Sequence, residues 1–426
     1  MRLREWDNNL KIRLAGESIV NITFWMFFPF LAIYFTESFG KTEAGLLLIF
    51  SQMFSVAANL LGGYCADRFG RKRMMVLSSI GQGLSFILFA AASSPWLHSP
   101  IIGFLCFTLV SIFGSLYWPA SQAMVADVTD EKDRSDVFAV FYTSINIAVV
   151  IGPIIGGIFY AEHRFQLLLL ASILNISLGL ILQKWITETA PAFKTAQGNL
   201  KTSWHRFLML QLRDYHVIIK DRTFLLFILA GVLVGQTFMQ LDLLIPVYVK
   251  DSIVAQQSLF SIGHWSFNIS GEQAFGFLLA ENGFFVALLT ISVTKWMTMY
   301  REKNVFILSS LVYAVAMAAF SQTSWIWGLI FAMALFTFGE LMTAGIQQGF
   351  ISQLAPEEMR GQYFAAASLR YTFGRMIAPA AIPMSEWVGY KWTFLSLAVL
   401  SILSVFIYIL MFNRMDRQKT ELPVHQ

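Results

Sequence analysis

The sequence predicts an all-α membrane protein with twelve transmembrane helices in two six-helix halves and both termini on the cytoplasmic side. The first reason is composition, because the 426 residues are 56% hydrophobic and only 13% charged, whereas soluble domains carry about 25% charged residues. The second is that apolar runs long enough to cross a bilayer as a helix recur along the chain. The third is that Lys and Arg are concentrated in alternate connections between those runs.

The apolar runs give twelve predicted spans, six on either side of a polar stretch. They lie near residues 15–38, 42–66, 74–94, 100–126, 137–161, 165–187, 223–249, 273–297, 304–322, 325–350, 361–385 and 391–412. With the N-terminus inside, 24 of the 30 Lys and Arg residues fall on cytoplasmic segments and four on outer segments. Positively charged loops stay inside, so we expect a multi-pass membrane protein with both termini in the cytoplasm.

The polar stretch divides the chain into residues 1–187, a cytoplasmic linker over residues 188–222, and residues 223–426. The two flanking parts also resemble each other. Asp133–Ala139, entering the fifth span, matches Met359–Ala365, entering the eleventh, and at the same offset Pro153 matches Pro379. Parallel repeats of this kind are typical of transporters that bind substrate near the bilayer midplane.

The connection after the second span carries the most specific motif, Gly62–Arg73. In it, Gly70 permits a tight turn, Arg68 and Arg71 suit an anionic leaflet, and Asp67 can accept N–H groups from a neighbouring helix N-terminus. A loop that is merely basic explains the arginines but neither the aspartate nor the spaced glycines. The motif resembles the G-x-x-x-D-R-x-G-R-[KR]-[KR] loop of the major facilitator superfamily. That resemblance implies the major facilitator fold and a cytoplasmic latch at this loop.

Five charged residues lie inside predicted spans, where a charge is costly and each one is a functional hypothesis. They are Asp242, Glu281, Glu340, Arg370 and Arg375. Asp242 stands four residues before Pro246, which has no N–H to donate to the Asp242 carbonyl oxygen. A carboxylate beside such a carbonyl suits a cation or a proton. Glu340 follows a glycine midway along its helix, which leaves room for close approach.

A structural alternative is that these acids only neutralise the two arginines. Arg370 and Arg375 are five residues apart, about 140° around a helix, so they cannot share one face. We expect at most one of them, Arg370, to point into the cavity with Glu340. For Glu281 a functional role and a structural partner such as Arg375 both stay open.

The wider pattern resembles the drug/proton antiporter branch of the major facilitator superfamily, and within it the LmrP-type multidrug transporters of Gram-positive bacteria. The resemblance is carried by Asn9–Leu14, the loop with Asp67, Asp127 after the fourth span, Gln240–Val247 and Phe338–Glu340. It implies proton- or cation-linked roles for Asp67, Asp127, Asp242 and Glu340, and a basic position at Arg370. Glu281 has no counterpart in this pattern, and Phe141–Thr143 stands where the family has a further acid.

Aromatic, amide and thioether side chains of the first, fourth and seventh spans form a candidate substrate cavity. They are Trp25, Phe28, Trp118, Gln236 and Met239. Aromatic faces beside a carboxylate favour lipophilic cations, although such residues in spans also pack helices or face lipid. The segment from Lys250 to Glu272 is long for a connection, and both a hairpin over the outer mouth and a disordered loop fit it.

We expect proton-coupled export of amphiphilic, cationic compounds by alternating access (multidrug/proton antiport), in which protons neutralise Asp242 and Glu340. The expected partners are a small amphiphilic molecule, protons and membrane lipid, with no nucleic acid and a monomeric chain. There is no phosphate loop, nucleophile motif or His/Cys metal spacing, so we expect no enzyme activity, metal site or cofactor, and a proton gradient as energy source. The alternatives are a proton-coupled importer of an organic anion or peptide held by Arg370, a lipid or glycolipid flippase, and a non-transporting sensor.

Overall fold

A computed structural model describes residues 6–189, 221–253, 257–262, 265–355, 363 and 366–421. Most of the predicted linker over residues 188–222 therefore lies outside the described residues, as does most of the repeated segment at 359–365. The chain forms two compact units, Met1–Trp204 and His205–Gln426. Their described parts are nearly all helical, as the composition predicts.

The described part of the N-terminal unit consists of six helices. They are α1 (Asn8–Phe27), α2 (Leu31–Phe39), α3 (Lys41–Phe69), α4 (Arg71–Ala92), α5 (Pro100–Val128) and α6 (Glu131–Trp185). Helix α1 begins where the Asp7 side chain accepts a hydrogen bond from the Asn9 N–H at 2.7 Å, which is a helix N-cap. A 3-10 turn over Phe28–Phe30, with Pro29 in its first turn, joins α1 to α2. The two helices together make one candidate span of 32 residues.

Glycines allow α1 and α6 to pack closely within this unit. A Cβ atom on Gly152 would lie 2.8 Å from the carbonyl carbon of Trp25, and one on Gly156 would collide with the carbonyl oxygen of Met26. Helices that approach this closely need small residues at the contact. The fifth predicted span is therefore fixed against the first by its glycines.

The described part of the C-terminal unit consists of helices of 8 to 41 residues and one hairpin. Its described elements are α7 (Arg222–Phe238), α8 (Leu244–Ser252), β1 (Gln257–Ile262), β2 (Trp265–Ile269), α9 (Gly271–Met297), α10 (Glu302–Phe320), α11 (Ile326–Ala344), α12 (Gln347–Leu354), α13 (Leu369–Ile377) and α14 (Ala381–Glu421). Helix α7 begins at Asp221, whose side chain accepts from two N–H groups of the first turn. Buried aromatic rings, among them Phe227, Phe306, Phe350 and Tyr408, pack in the core of the unit.

Two helical spans of the C-terminal unit are interrupted by 3-10 turns. The first turn, Met239–Asp242, separates α7 from α8, and the second, Ala378–Ala380, separates α13 from α14. The residue after the first turn, Leu243, has φ −121° and ψ −78°, outside the helical region. The second turn contains Pro379, which cannot donate a helical hydrogen bond. The two turns contact each other, so the unit has a non-helical region inside its apolar helices.

The described residues contain ten helical segments long and apolar enough to cross a membrane. Two of them, with 43 and 50 residues, are far longer than the others. At 1.5 Å per residue each would exceed about 60 Å, twice the roughly 30 Å of a hydrocarbon core. Each also bends at one residue, His163 (φ −119°, ψ 27°) and Gly389 (φ 81°, ψ 159°). Each is therefore long enough for two crossings.

The segment between α8 and α9 forms an antiparallel hairpin, with Gln257 of β1 opposite Ile269 of β2. The Gln257 side chain accepts a hydrogen bond from the Ile326 N–H at 3.1 Å, and the Trp327 indole donates to the Leu259 carbonyl oxygen at 3.1 Å. The hairpin is thus tied to the first turn of α11. Of the two structures predicted for this segment, the hairpin is confirmed.

Candidate functional site

The break between α7 and α8 places a carboxylate inside an apolar span. Asp242 ends the 3-10 turn, and Pro246 in the next helix has no N–H for the Asp242 carbonyl oxygen. Asp242 is partly buried, and its Oδ1 atom is buried with no hydrogen-bond partner among the described residues. A carboxylate oxygen without a donor in apolar surroundings is stabilised by a proton or a cation.

The second carboxylate, Glu340 on α11, is held by neutral groups. Asn282 of α9 donates from Nδ2 to Glu340 Oε2 at 3.1 Å and to Thr337 Oγ1 at 3.0 Å. Asn282 is only 3% exposed, so α9 and α11 share a buried polar cluster. No Lys or Arg forms a salt bridge with Glu340 in the part of the chain that the structure describes. The carboxylate therefore has no fixed counter-charge.

Asp242, Glu340 and Arg375 form one electrostatic unit. Glu340 lies close enough to Asp242, and Asp242 to Arg375, for both pairs to interact. Within the described ranges no direct salt bridge joins Asp242 to Arg375, and the arginine side chain is exposed. With both carboxyl groups ionised, the three side chains carry a net charge of −1. One proton or one monovalent cation neutralises them.

A third carboxylate, Glu281, directly precedes Asn282 on α9. It is partly buried, and its Oε2 atom is buried without a partner in the described part of the chain. On the same helix face lie Phe277 and Phe284, which are 44% and 55% exposed. Arg375, which the sequence left open as a structural partner for Glu281, interacts with Asp242.

Arg370 lies apart from these carboxylates. It is 3% exposed, donates from Nε to the Ala367 carbonyl oxygen at 2.9 Å, and stacks 4.3 Å from the centre of the Phe227 ring. With the Gln347 amide turned so that its oxygen faces the guanidinium, that oxygen also accepts from both Arg370 Nη atoms. The predicted pairing of Arg370 with Glu340 is wrong, because the two arginines face different sides of α13 and Arg375 is the one beside the acids. These contacts support a packing role for Arg370.

In the N-terminal unit, the loop after α3 is held by three carboxylates around Arg71. Asp67 forms a salt bridge with Arg71 at 2.5 Å, and Asp127 at the end of α5 lies 3.3 Å from Arg71 Nε. Glu188, just after α6, accepts the Arg71 N–H at 2.8 Å, and Thr189 donates to Asp127 at 3.0 Å. The role predicted for Asp67, accepting N–H groups at a helix N-terminus, therefore belongs to Glu188.

Gly70 is required by this arrangement. Its φ is 99°, and a Cβ atom there would collide with the Glu188 carboxylate. Arg68 donates to the Tyr64 hydroxyl and lies 5.8 Å from the ring centres of Tyr64 and Phe69. The four predicted latch residues thus lie together at the turn between α3 and α4. The sequence analysis missed Glu188 because it is 117 residues from its partner.

The N-terminal unit also contains a buried ion pair that the sequence analysis did not single out. Arg13, 1% exposed, donates from Nε to Glu17 Oε1 at 2.9 Å and contacts Ser121. The same Glu17 oxygen accepts from the Tyr117 hydroxyl at 2.7 Å. The signal in the sequence was the i,i+4 spacing of opposite charges on one helix. The pair ties α1 to α5.

The residues predicted to line a substrate cavity occur in both units. In the N-terminal unit, the rings of Trp25 and Phe28 pack edge to face at 5.9 Å, while Trp118, 47% exposed, lines a small cleft together with the buried ion pair. In the C-terminal unit, Gln236 is 3% exposed and bonds the neighbouring threonine, and Met239 begins the 3-10 turn that ends at Asp242. A common cavity stays a prediction.

Comparisons with known proteins agree with the fold. A family profile described as Major Facilitator Superfamily matches residues 14–271 and 258–425. The chain is 57% identical over 422 residues to a protein of Planococcus maritimus named Na(+), Li(+), K(+)/H(+) antiporter, covering 98% of this chain and 99% of the relative. It is 24% identical to the multidrug resistance protein MdtH of Klebsiella pneumoniae, covering 85% of this chain and 82% of the relative.

Among solved structures, a POT family transporter crystallised with 5-aminolevulinic acid superimposes with a TM-score of 0.74. The match covers 94% of this chain and 95% of that chain, at 16% sequence identity. At this identity the likeness shows the fold alone.

Proposed function

Because this chain belongs to the Major Facilitator Superfamily, and is a membrane transporter rather than an enzyme, we propose that it exchanges monovalent metal cations for protons. The observation that carries the proposal is that Asp242 Oδ1 is buried without a donor among the described residues and that Glu340 is bonded by the neutral Asn282. These two acids and Arg375 together carry a net charge of −1. A proton and a monovalent cation each neutralise this unit, so they compete for it. Competition for one site is what an exchanger requires. The proton gradient is the energy source, and no cofactor is needed.

The chemistry of the site favours a metal cation over an organic one. Asp242 offers carboxylate oxygen at a helix break, next to a carbonyl group that Pro246 leaves without a helical partner. Hard cations such as Na⁺ and K⁺ prefer oxygen ligands, and interrupted helices coordinate coupling ions in other transporter folds. The 57% identity to a protein named as an antiporter of Na⁺, Li⁺ and K⁺ supports the same assignment.

We propose that the latch predicted after α3 gates this exchange on the cytoplasmic side. Arg71 there contacts Asp67, Asp127 and Glu188, so the loop is fixed by charge. A conformational change that moves the loop must separate these contacts. Neutralising one of the acids should therefore alter the rate of exchange without removing the cation site.

The proposed topology follows from the long helices. If the 43-residue and 50-residue segments each cross twice, the chain makes twelve crossings with both termini in the cytoplasm. The excess of Lys and Arg on the segments between alternate spans supports this orientation. We propose that the chain works as a monomer in the cytoplasmic membrane of a bacterium.

A second candidate function is the export of amphiphilic cations in exchange for protons. The specific observation in its favour is Glu281, whose carboxylate shares a helix face with the exposed rings of Phe277 and Phe284. Aromatic rings beside a carboxylate suit a lipophilic cation. The chain is 24% identical to the multidrug resistance protein MdtH but 57% identical to the cation/proton antiporter. The comparisons therefore favour metal cations over amphiphilic ones. The import of an organic anion is disfavoured, because Arg370, the residue expected to bind the anion, is buried and already bonded within the protein.

The proposal is tested in everted membrane vesicles that respiration has acidified inside. Addition of NaCl, KCl or LiCl should release protons from vesicles that contain the protein, and a pH-sensitive dye reports the release. Glu340→Gln should lower this exchange at least about tenfold, because removing the charge removes the competition. Glu302→Gln is the matched control, since Glu302 lies in the first turn of α10 and bonds Gln353.

The outcomes separate the two candidate functions. Proton release on adding any of the three salts, lost in Glu340→Gln and kept in Glu302→Gln, supports metal-cation exchange. Proton release only on adding a lipophilic cation such as tetraphenylphosphonium would replace it with the second candidate. Exchange of Na⁺, K⁺ or Li⁺ by Glu340→Gln at the wild-type rate would refute the assignment of the site.

A further inference from the structure

Gln240 lies in the 3-10 turn between α7 and α8 and is completely buried. Its amide nitrogen donates two hydrogen bonds to backbone carbonyl oxygens. One goes to Gln236 in the preceding turn at 3.0 Å, and the other to Ala378 in the second 3-10 turn at 3.1 Å. The Gln240 side chain therefore links the two interrupted spans.

These two bonds fix the orientation of the amide. If the group were turned over, its oxygen would face the carbonyl oxygens of Gln236 and Ala378, which offer no proton. The oxygen Oε1 of Gln240 is buried and has no hydrogen-bond donor among the residues that the structure describes. Buried polar atoms nearly always have a partner. The two bonds donated by the Gln240 nitrogen fix the position of Oε1, but Oε1 itself accepts no hydrogen bond from the described residues.

A second buried oxygen without a hydrogen-bond donor among the described residues is Asp242 Oδ1, two residues further along the same turn. Gln240 bonds Ala378, and Asp242 interacts with Arg375, which precedes Ala378 by about one helical turn. A neutral carbonyl oxygen and a carboxylate oxygen, both buried without a donor among the described residues, thus belong to the same 3-10 turn.

We propose that Gln240 is a ligand of the transported metal cation, supplying its Oε1 atom beside the Asp242 carboxylate. The inference rests on the proposed exchange of metal cations and names a residue that sets its selectivity. The carboxylates attract every monovalent cation, whereas selectivity among alkali ions depends on the number, field strength and spacing of coordinating dipoles. A rigid amide oxygen has a fixed position, so it distinguishes Li⁺, Na⁺ and K⁺ by size.

The competing explanation is that Gln240 only joins the two breaks. A purely structural residue would, when replaced, lower the rate for all three cations by the same factor. A ligand would, when replaced, raise the half-saturating concentration and change the ratio among the cations. Selectivity therefore distinguishes the two roles.

The experiment uses purified full-length protein in proteoliposomes with an imposed pH gradient. Half-saturating concentrations for LiCl, NaCl and KCl are compared for the wild type and Gln240→Met, which keeps the side-chain length but has no amide oxygen. Ser172→Ala is the control, because it removes a buried helix-to-helix hydrogen bond, from Ser172 to the Gly83 carbonyl oxygen at 2.8 Å, in the other unit.

We expect Gln240→Met to raise the half-saturating concentration of the preferred cation about tenfold or more, and to change the ratio between preferred and least preferred cation at least about threefold. Ser172→Ala should change neither. Unchanged ratios in Gln240→Met, with equally reduced rates, would overturn the inference and leave the proposed function intact. Failure of the wild type to exchange any of the three cations would overturn both.

A second measurement applies if Gln240→Met folds but does not transport. A cation that binds only the folded protein raises its melting temperature as its concentration increases. The wild type should show a larger rise with its preferred cation than with the other two, and Gln240→Met should lose that difference. A difference kept in full by Gln240→Met would overturn the inference.

Discussion

Replacing Gly70 with alanine should destabilise the N-terminal unit through two separable effects. The first is local, because Gly70 has φ 99° and ψ 147°, a region that residues with a Cβ atom occupy only at a cost of about 1–3 kcal/mol. The second is a collision of the new Cβ atom with the Glu188 carboxylate. If that carboxylate moves, the N–H groups of Arg71 and Lys72 lose the acceptor that they now share.

The magnitude follows from these two effects. Hydrogen bonds to a charged group contribute about 1.5–3 kcal/mol each when they are well formed, and the bond at 3.4 Å to Lys72 contributes less than the one at 2.8 Å to Arg71. We expect Gly70→Ala to lower the free energy of unfolding by about 2–4 kcal/mol. In a Glu188→Ala background the collision is absent, so the same change should cost only the backbone part.

The assay is denaturant unfolding in detergent micelles, followed by circular dichroism, of both single variants and the double variant. A coupling energy of about 1 kcal/mol or more is expected, well above the roughly 0.3–0.5 kcal/mol within which independent sites add. Gly63→Ala in α3 is the control, because its Cβ atom would meet nothing within 4 Å. Full stability of Gly70→Ala, or strictly additive energies, would refute the role assigned to Glu188.

Other predictions concern the C-terminal unit. Asn282→Ala should destabilise the protein by about 1–3 kcal/mol, measured by the same unfolding assay, because it leaves Glu340 without its neutral donor. Lowering the pH should raise the half-saturating cation concentration by up to about tenfold per unit, since proton and cation compete, and a flat profile would contradict competition. Arg375→Gln should make the dependence of exchange on cation concentration steeper, with a Hill coefficient above that of the wild type in the same vesicle assay, because it leaves two carboxylates that two monovalent cations must neutralise. Arg370→Lys should lower the melting temperature without changing cation affinity, because lysine cannot replace the planar stacking on Phe227.

The sequence predicted correctly those features of the fold that depend on one short segment of the chain. Hydropathy and charge placement predicted a nearly all-helical membrane protein, and the family profile match confirms the superfamily that the Gly62–Arg73 motif indicated. The proline four residues after Asp242 predicted a carbonyl oxygen without a helical donor, and the structure has a 3-10 turn at that place, which the continuous span predicted over residues 223–249 did not include. Local chemistry of proline, glycine and charge is visible in a short stretch of sequence.

The sequence was less informative where distant residues meet. The spacing of Arg370 and Arg375 showed that they diverge, but not which of them faces the acids, because that depends on how α13 is rotated against α7. Gly231 of α7 decides it, since a Cβ atom there would collide with the Arg370 side chain. In the same way Glu188 belongs to the latch only through folding. The spacing of two residues in the sequence gives the angle between their side chains around the helix. The packing of that helix decides which neighbours each side chain faces.

The charge of −1 also explains why exchange would be coupled. Moving an uncompensated charge within the membrane costs on the order of 3 kcal/mol on insertion scales, and each 1.4 kcal/mol is a factor of about ten in population. An empty site, with Arg375 balancing only one of Asp242 and Glu340, would therefore reach the transition between inward and outward states roughly a hundred times less often than a neutralised one. A proton or a metal cation removes that barrier equally well. Tight coupling then needs no direct contact between the two ions, because each one permits the transition only by occupying the site that the other must leave.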